Sequence, residues 1–289
     1  MLRKSYKELR GEDIMIEKVT AVIADVDGTI NVKGSKPMPR TLAALEALHE
    51  RGILFGTASG RPLDHRSLDK AHEWGLSFDF DLAIGMNGGD VWDKDHEGIE
   101  HIMRLSKDYI QEICEFMWPL DCNVIVYENA YDHVLVKRRD ERLEASIYRN
   151  GSIVELSTPA EMALKDTGKI EIQYDPERPE LDEEIMAVVK AHTSPNWSSV
   201  RTFAGTVEFM TPGLDKGVGL RRYAERNNIS IEEIMAFGDM DNDVAMIAAA
   251  GWGVAMANGC DDAKAVAKAV TEYGVLEDGM GRYLETYVL

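Results

Sequence analysis

Apolar runs that stop abruptly at small and acidic residues alternate along this chain with stretches of helical spacing. Ala21-Val22-Ile23-Ala24 is apolar throughout and ends at Asp25-Val26-Asp27-Gly28-Thr29. Such an unbroken run reads as a strand buried on both faces, as in a parallel sheet. Leu42, Leu45 and Leu48 then recur at helical spacing up to Gly52, a residue suited to stopping a helix. Residues 53–58 read as a second strand running into Ser59-Gly60-Arg61-Pro62, and a helical stretch follows to Trp74. Leu82-Ala83-Ile84-Gly85 reads as a third strand, ending at Asn87-Gly88-Gly89. Strand and helix in strict alternation predict a parallel sheet with crossover helices.

The rhythm changes in the middle of the chain. Residues 109–117 are helical in spacing. Residues 123–127 and 133–137 read as a strand pair around the turn-like Glu128-Asn129-Ala130, and residues 169–174 alternate as another strand. Residues 181–192 form an amphipathic helical pattern, and residues 199–203 and 206–210 flank the hairpin turn Ala204-Gly205. After Pro212-Gly213 the first rhythm returns. A helix over 216–226, a capping box at Ser230-Ile231-Glu232-Glu233, a strand over 234–237, a helix through Ala250, a strand over 252–256 and a helix over 261–268 are predicted. The economical parse is an α/β domain (15–104 and 213–289) interrupted by an α+β domain (105–212), with residues 1–14 as an N-terminal extension. Met15 could serve as an alternative start, and the joints near Leu105 and at Met210 to Gly213 read as hinges.

Composition narrows the classes. The chain has 289 residues, 45% of them hydrophobic, which is enough to fill the cores of two domains. A net charge of −19 argues against nucleic acid and anionic membranes as partners, but not against a small anionic substrate, because a local cation can reverse the field in one cleft. Three cysteines without zinc spacing (Cys114, Cys122, Cys260) read as reduced, buried thiols and predict a cytoplasmic protein. No apolar run is long enough to span a bilayer, and the charged N-terminus lacks a signal-peptide core. Oligomeric state leaves no readable trace.

Four chemical signals fall where predicted strands or helices meet loops: Asp25/Asp27, Ser59, Lys216 and Asp239/Asp243. In a parallel sheet all such strand ends lie along one edge, so they can converge. Several carboxylates, an ammonium and a hydroxyl suit phosphoryl transfer with Mg²⁺, a hard ion that prefers oxygen ligands. No G-x-x-x-x-G-K-[ST] loop is present, which argues against a Walker-type nucleotide site.

In this order the segments resemble a haloacid dehalogenase (HAD) superfamily phosphatase of the Cof-type subfamily. The resemblance rests on Asp25-Val26-Asp27-Gly28-Thr29, Ser59-Gly60-Arg61, Lys216-Gly217 and Gly238-Asp239-Met240-Asp241-Asn242-Asp243, with Asn87-Gly88 as a subfamily feature. It covers the chain from about Met15 to the C-terminus. It implies a HAD-like Rossmannoid core with an inserted α+β cap of the C2 type, in its C2B form. It implies Asp25 as nucleophile, giving an aspartyl phosphate, and Asp27 as the acid and then base that also lends its carbonyl to Mg²⁺. Lys216 would neutralise phosphoryl charge, Asp239 would add a metal carboxylate, and Asp243 would belong to the metal site with Asp25, Asp27 and Asp239, orienting Lys216 or metal-bound water. Ser59, the Gly60 amide and Asn242 would hold the phosphoryl group. The implied substrate is a small phosphorylated metabolite such as a sugar phosphate. A phosphosugar mutase of the phosphomannomutase kind is the alternative.

Blander readings stand beside these. Ser59 could cap the next helix, Arg61 could make a structural ion pair, Gly28 and Thr29 read as turn residues, and Asp241, Asp261 and Asp262 as solvated or helix-starting acids. In the middle domain His133, Lys137, Arg138, Arg139 and Arg201 could face substrate, although solvated surface is the simpler reading for each.

Overall fold

The structure is a computed structural model that describes residues 18–32, 34–127, 133–150 and 152–289. The expected turn at 128–130 and the extension 1–14 lie outside the described residues. The chain divides into two compact units: one ends at Glu100 and resumes at Asp215, the other is His101–Leu214.

Along the first unit run β1 (Ala21–Asp25), α1 (Pro39–Glu50), β2 (Leu54–Ala58), the short helices α2 (His65–Leu68) and α3 (Lys70–Trp74), β3 (Leu82–Gly85), β4 (Asp90–Asp93) and β5 (Glu100–His101). The second unit holds α4 (Lys107–Met117), β6 (Asn123–Tyr127), β7 (His133–Val136), α5 (Glu141–Asn150), β8 (Ile153–Leu156), α6 (Pro159–Met162), β9 (Lys169–Gln173), α7 (Pro179–Ala191), β10 (Ser198–Phe203) and β11 (Thr206–Met210). The first unit resumes with α8 (Lys216–Arg226), β12 (Ile234–Gly238), α9 (Val244–Ala249), β13 (Trp252–Ala255), α10 (Asp261–Val266), β14 (Ala269–Val270) and α11 (Gly279–Tyr287).

The eight-stranded sheet has the order β14-β13-β12-β1-β2-β3-β4-β5. From β14 to β3 all pairings are parallel, and β4 turns back antiparallel to β3. Every residue of β1 is buried, because helices cover both faces. Val22, Ala24, Phe55 and Phe237 pack with Leu45 and Leu48 of α1 and Leu284 of α11 in one core. Full burial of a side chain such as Phe55 contributes roughly 1.5–3 kcal/mol, and truncating it to Ala would cost about 3–5 kcal/mol. Helix α1 ends where the sequence predicts: Gly52 takes φ +69°, and its amide bonds the His49 carbonyl at 2.9 Å.

The six-stranded sheet of the second unit has the order β10-β11-β9-β6-β7-β8, antiparallel except for β7 with β8. Val124, Val126, Ile170, Ile172, Val207 and Phe209 lie on one face, packed with Ile113 and Met117 of α4 and Ile185 of α7. The period-two pattern of these strands thus assigns the apolar residues to the helix-covered face.

Two local expectations are corrected. Ser230 starts a single 3₁₀ turn and makes no side-chain cap, because the Glu233 carboxylate accepts instead from Lys18 Nζ (2.8 Å) and the Thr20 hydroxyl. Cys114 and Cys122 are buried and burial raises their thiols to about 12 and about 11, but Cys260 is only half-buried and caps α10 through Sγ. Among the described residues no helix is long and apolar enough to cross a membrane.

Candidate active site

Parallel pairing aligns the chemistry. Asp25 is the last residue of β1, opposite Ala58 of β2, and Ala24 lies opposite Phe237 of β12. Ser59 follows β2, Asp239 follows β12 and Asn87 follows β3, so all emerge at the carboxyl edge of the sheet.

Lys216 is the first residue of α8, and Asp215 caps that helix by accepting from the Val218 amide at 2.9 Å. A cation in the first helical turn sits at the unfavourable end of the macrodipole. Two carboxylates offset that. Lys216 Nζ donates to Asp25 Oδ1 and Asp243 Oδ1, each at 2.5 Å, and the lysine side chain is fully buried. Burial opposes its charge, but Asp243 and Asp25 outweigh burial and raise its pKa above the ordinary lysine value.

The other oxygen of Asp243 accepts from the backbone amides of Asp239 (2.9 Å) and Met240 (3.0 Å). Both oxygens of Asp243 are therefore engaged, and the residue ties the Gly238–Asp243 loop to Lys216. Asp239 Oδ1 accepts from the Thr29 hydroxyl at 2.8 Å. Gly28 has φ +107°, and a Cβ there would lie 2.3 Å from Asp239 Oδ2, so only glycine allows this approach. One oxygen from each of Asp25, Asp239 and Asp243 lies within 4.8 Å of the others.

Three carboxylates share one ammonium, so the cluster carries excess negative charge. Burial pushes the Asp25 carboxyl up to about 7 against the pull of Lys216, with repulsion from Asp243 and Asp239 adding to the rise. Burial likewise raises Asp239 to about 6, opposed by the Thr29 hydroxyl and assisted by Asp243. Hard oxygen donors, excess negative charge and raised carboxylate pKa values fit a small divalent cation.

Asp27 stands apart from this cluster. Its Oδ2 accepts from Arg61 at 2.6 Å, and both side chains are about one-third exposed (32% and 39%). Ser59 Oγ accepts from the Arg61 amide at 3.2 Å and caps no helix; Asp64 caps α2 instead. The Asn87 amide donates to the Ser59 carbonyl at 3.2 Å, and Asn242 Nδ2 donates to Asn87 Oδ1 at 3.4 Å. Ser59, Gly60 and Asn242 thus meet around Asn87, while Asp25, Lys216, Asp239 and Asp243 meet around the ammonium.

Sequence reasoning undervalued two residues. Thr29 is more than a turn residue, since it fixes Asp239. Arg61 makes the ion pair considered for it, but its partner is Asp27, a residue of the candidate chemistry. In the second unit Lys137 donates to the carbonyls of Trp118 and Leu120, Arg138 pairs with Asp121 and Asp140, Arg139 with Glu144, Arg201 with Asp182, and His133 lies 3.3 Å from Glu155.

Comparison with known proteins gives the family. The haloacid dehalogenase-like hydrolase family matches residues 22–284. The chain is 26% identical over 289 residues to the Bacillus subtilis 5-amino-6-(5-phospho-D-ribitylamino)uracil phosphatase YitU, covering 94% of this chain and 99% of that one. Its fold matches TM0651 of Thermotoga maritima with a TM-score of 0.77 at 24% identity, covering 92% and 97% of the two chains. It also matches a haloacid dehalogenase-like hydrolase of Bacteroides thetaiotaomicron with a TM-score of 0.74 at 22% identity, covering 93% and 99%. The chain belongs to the haloacid dehalogenase-like hydrolase family, as a phosphatase of the Cof type.

Proposed function

We propose that the protein hydrolyses small phosphate monoesters through an aspartyl phosphate on Asp25, with Mg²⁺ as cofactor. The observation that carries this reading is the buried cluster of Asp25, Asp239 and Asp243 around a single Lys216. Asp25 and Asp239, with the Asp27 carbonyl, would hold the ion, and Asp243 would keep Lys216 and the loop in place. The ion supplies charge neutralisation on the phosphoryl oxygens, without which one anion does not attack another.

An oxygen of Asp25 attacks phosphorus as the ester oxygen leaves. Lys216 is held between Asp25 and Asp243 and offers its charge to the phosphoryl group. Ser59 Oγ, the Gly60 amide and Asn242 supply hydrogen bonds to the same group. Asp27 gives a proton to the departing alkoxide and later takes one from the water that attacks the acyl phosphate, releasing inorganic phosphate and restoring Asp25. Arg61 keeps the Asp27 carboxylate at a fixed place between the two steps. The His101–Leu214 unit takes the part of the cap, which in this class excludes water and contacts the leaving group.

A relative's name supports a substrate class narrower than phosphate esters at large. YitU acts, by its name, on a phosphorylated ribityl compound. This supports a sugar phosphate or a similar polyol monophosphate as the proposed substrate class for this chain. The experiment is hydrolysis of 4-nitrophenyl phosphate with Mg²⁺ and after chelation. Phosphate release only with Mg²⁺ is the expected result; equal rates in both conditions would remove the metal from the account. Product analysis with a hexose 1-phosphate distinguishes hydrolysis, which is expected, from the isomerisation that a mutase would give.

A further inference from the structure

Asp239 is held from two sides. In the sheet order β13-β12-β1, the loop after β12 lies between the turn after β1 and the loop after β13. On the β1 side, the Thr29 hydroxyl donates to Asp239 Oδ1 at 2.8 Å, and Gly28 packs so closely that an added Cβ would meet Oδ2. Both oxygens of Asp239 are therefore bounded by the Gly28–Thr29 turn. On the β13 side, the Cys260 amide donates to the Asp239 carbonyl at 2.7 Å, and a Cβ on Gly259 would lie 2.9 Å from the same oxygen.

The turn after β1 needs support from outside. Gly28 has φ +107°, and glycine loses more conformational freedom on folding than any other residue. Within the turn, the Gly28 amide donates to the Asn31 carbonyl at 2.7 Å, which fixes the Asp27–Gly28 peptide. The next peptide is fixed from 230 residues away: Asn258 Nδ2 donates to the Gly28 carbonyl at 2.9 Å. Asn258 Oδ1 in turn accepts from the Val275 amide at 2.8 Å. Turned over, the Asn258 amide would set oxygen against oxygen and N–H against N–H, so its orientation is determined.

The backbone that carries Asn258 is itself tied down. The Met256 amide donates to the Gly238 carbonyl (2.9 Å), the Ala257 amide to the Thr271 hydroxyl (2.8 Å) and the Gly259 amide to the Met256 carbonyl (2.9 Å). Asn258 is exposed, yet both ends of its side-chain amide are used on backbone groups distant in sequence.

We infer that Asn258 is a positioning residue of the metal site: it fixes the Gly28–Thr29 turn, and through that turn it sets the Asp239 carboxylate and the Asp27 carbonyl. The inference rests on the metal reading proposed above. Ligands ordered before the ion arrives bind it with less loss of freedom, and groups that hold ligands rather than touch the ion govern affinity in this way. Asn258 does this by way of Gly28, so its effect depends on the Thr29 contact.

The test is Mg²⁺ binding to the full chain, measured by calorimetry with the metal alone, beside the unfolding temperature of the chelated protein. Asn258→Ala is expected to bind Mg²⁺ about fivefold more weakly, the effect of one lost hydrogen bond. Asn258→Ser, polar but too short to span Gly28 and Val275, is expected to lose the same factor. Thr29→Val removes the hydroxyl on Asp239 and is also expected to lose about fivefold. Because both act through one turn, the double variant Thr29→Val/Asn258→Ala should stay near tenfold, short of the about 25-fold of independent effects. Unchanged Mg²⁺ affinity in Asn258→Ala overturns the inference, whatever the unfolding temperature does, since a strut for the Val275 loop would lower only the latter. Fully multiplicative losses in the double variant overturn it as well. Wild type that binds no Mg²⁺ would instead overturn the metal reading, and the inference with it.

Discussion

Two buried lysines organise the two halves of this protein, and they do so differently. Lys216 joins carboxylates from the end of β1 and the loop after β12, distant in sequence, and backbone amides and Thr29 fix that loop. Lys169 joins carboxylates on its own and the neighbouring strand, Glu171 and Glu208, which sit opposite each other in the ladder. The first cluster keeps three acids around one cation at the carboxyl edge of a parallel sheet. The second is woven into a sheet face. The difference shows that a buried ion pair is not itself a sign of catalysis. On the function proposed above, position at the strand ends of a parallel sheet is what marks the reactive cluster.

The largest contrast should come from removing each lysine. Lys216→Ala is expected to lower kcat on 4-nitrophenyl phosphate by about 10²–10³, the usual effect of losing one preorganised charge contact to a transition state. Lys169→Met is expected to act on stability, since it breaks the buried Lys169–Glu208 pair: the loss is about 3–5 kcal/mol, read from urea unfolding. If both variants lost stability equally and Lys216→Ala kept its turnover, the distinction between the clusters would collapse.

A smaller effect sharpens the electrostatic side of the comparison. The Asp25 and Asp239 pKa values are raised, to about 7 and about 6, so the folded state holds protons there that the unfolded chain, with carboxylates near 3.8, has released. Their contribution to stability is therefore present below about pH 4 and is lost as pH rises through 6 to 7. Chelated protein should show an unfolding temperature that falls across this range, with a weaker fall in Asp239→Asn and after adding Mg²⁺. An equal slope in wild type and Asp239→Asn would place the pH dependence elsewhere.

The same comparison explains what was legible in the sequence. The core cluster could be read because Asp25, Ser59 and Asp239 each interrupt an apolar run where a buried strand has no structural reason to end in a polar group. The parallel order of the strands then brings them to one edge. Thr29 and Arg61 were harder to read, since a threonine after a glycine and an arginine in a loop are ordinary turn and surface residues until their partners are known. Lys169, Glu171 and Gln173 were opaque for a different reason. Alternating with Ile170 and Ile172, they read as the wet face of a half-buried strand, and only the three-dimensional structure shows that this face is buried too. Ser230 misled in the opposite direction: its spacing to Glu233 fits a capping box, but tertiary contacts from Lys18 and Thr20 claim the glutamate.

On the proposed mechanism Asp25 becomes phosphorylated during turnover. The direct measurement is rapid-quench mass spectrometry of the peptide containing Asp25 during turnover of 4-nitrophenyl phosphate with Mg²⁺. One added phosphoryl group on Asp25 is expected in wild type, with no modification and a loss of at least about a thousandfold in kcat for Asp25→Asn. An unmodified Asp25 peptide throughout turnover, together with an Asp25→Asn variant as active as wild type, would contradict it.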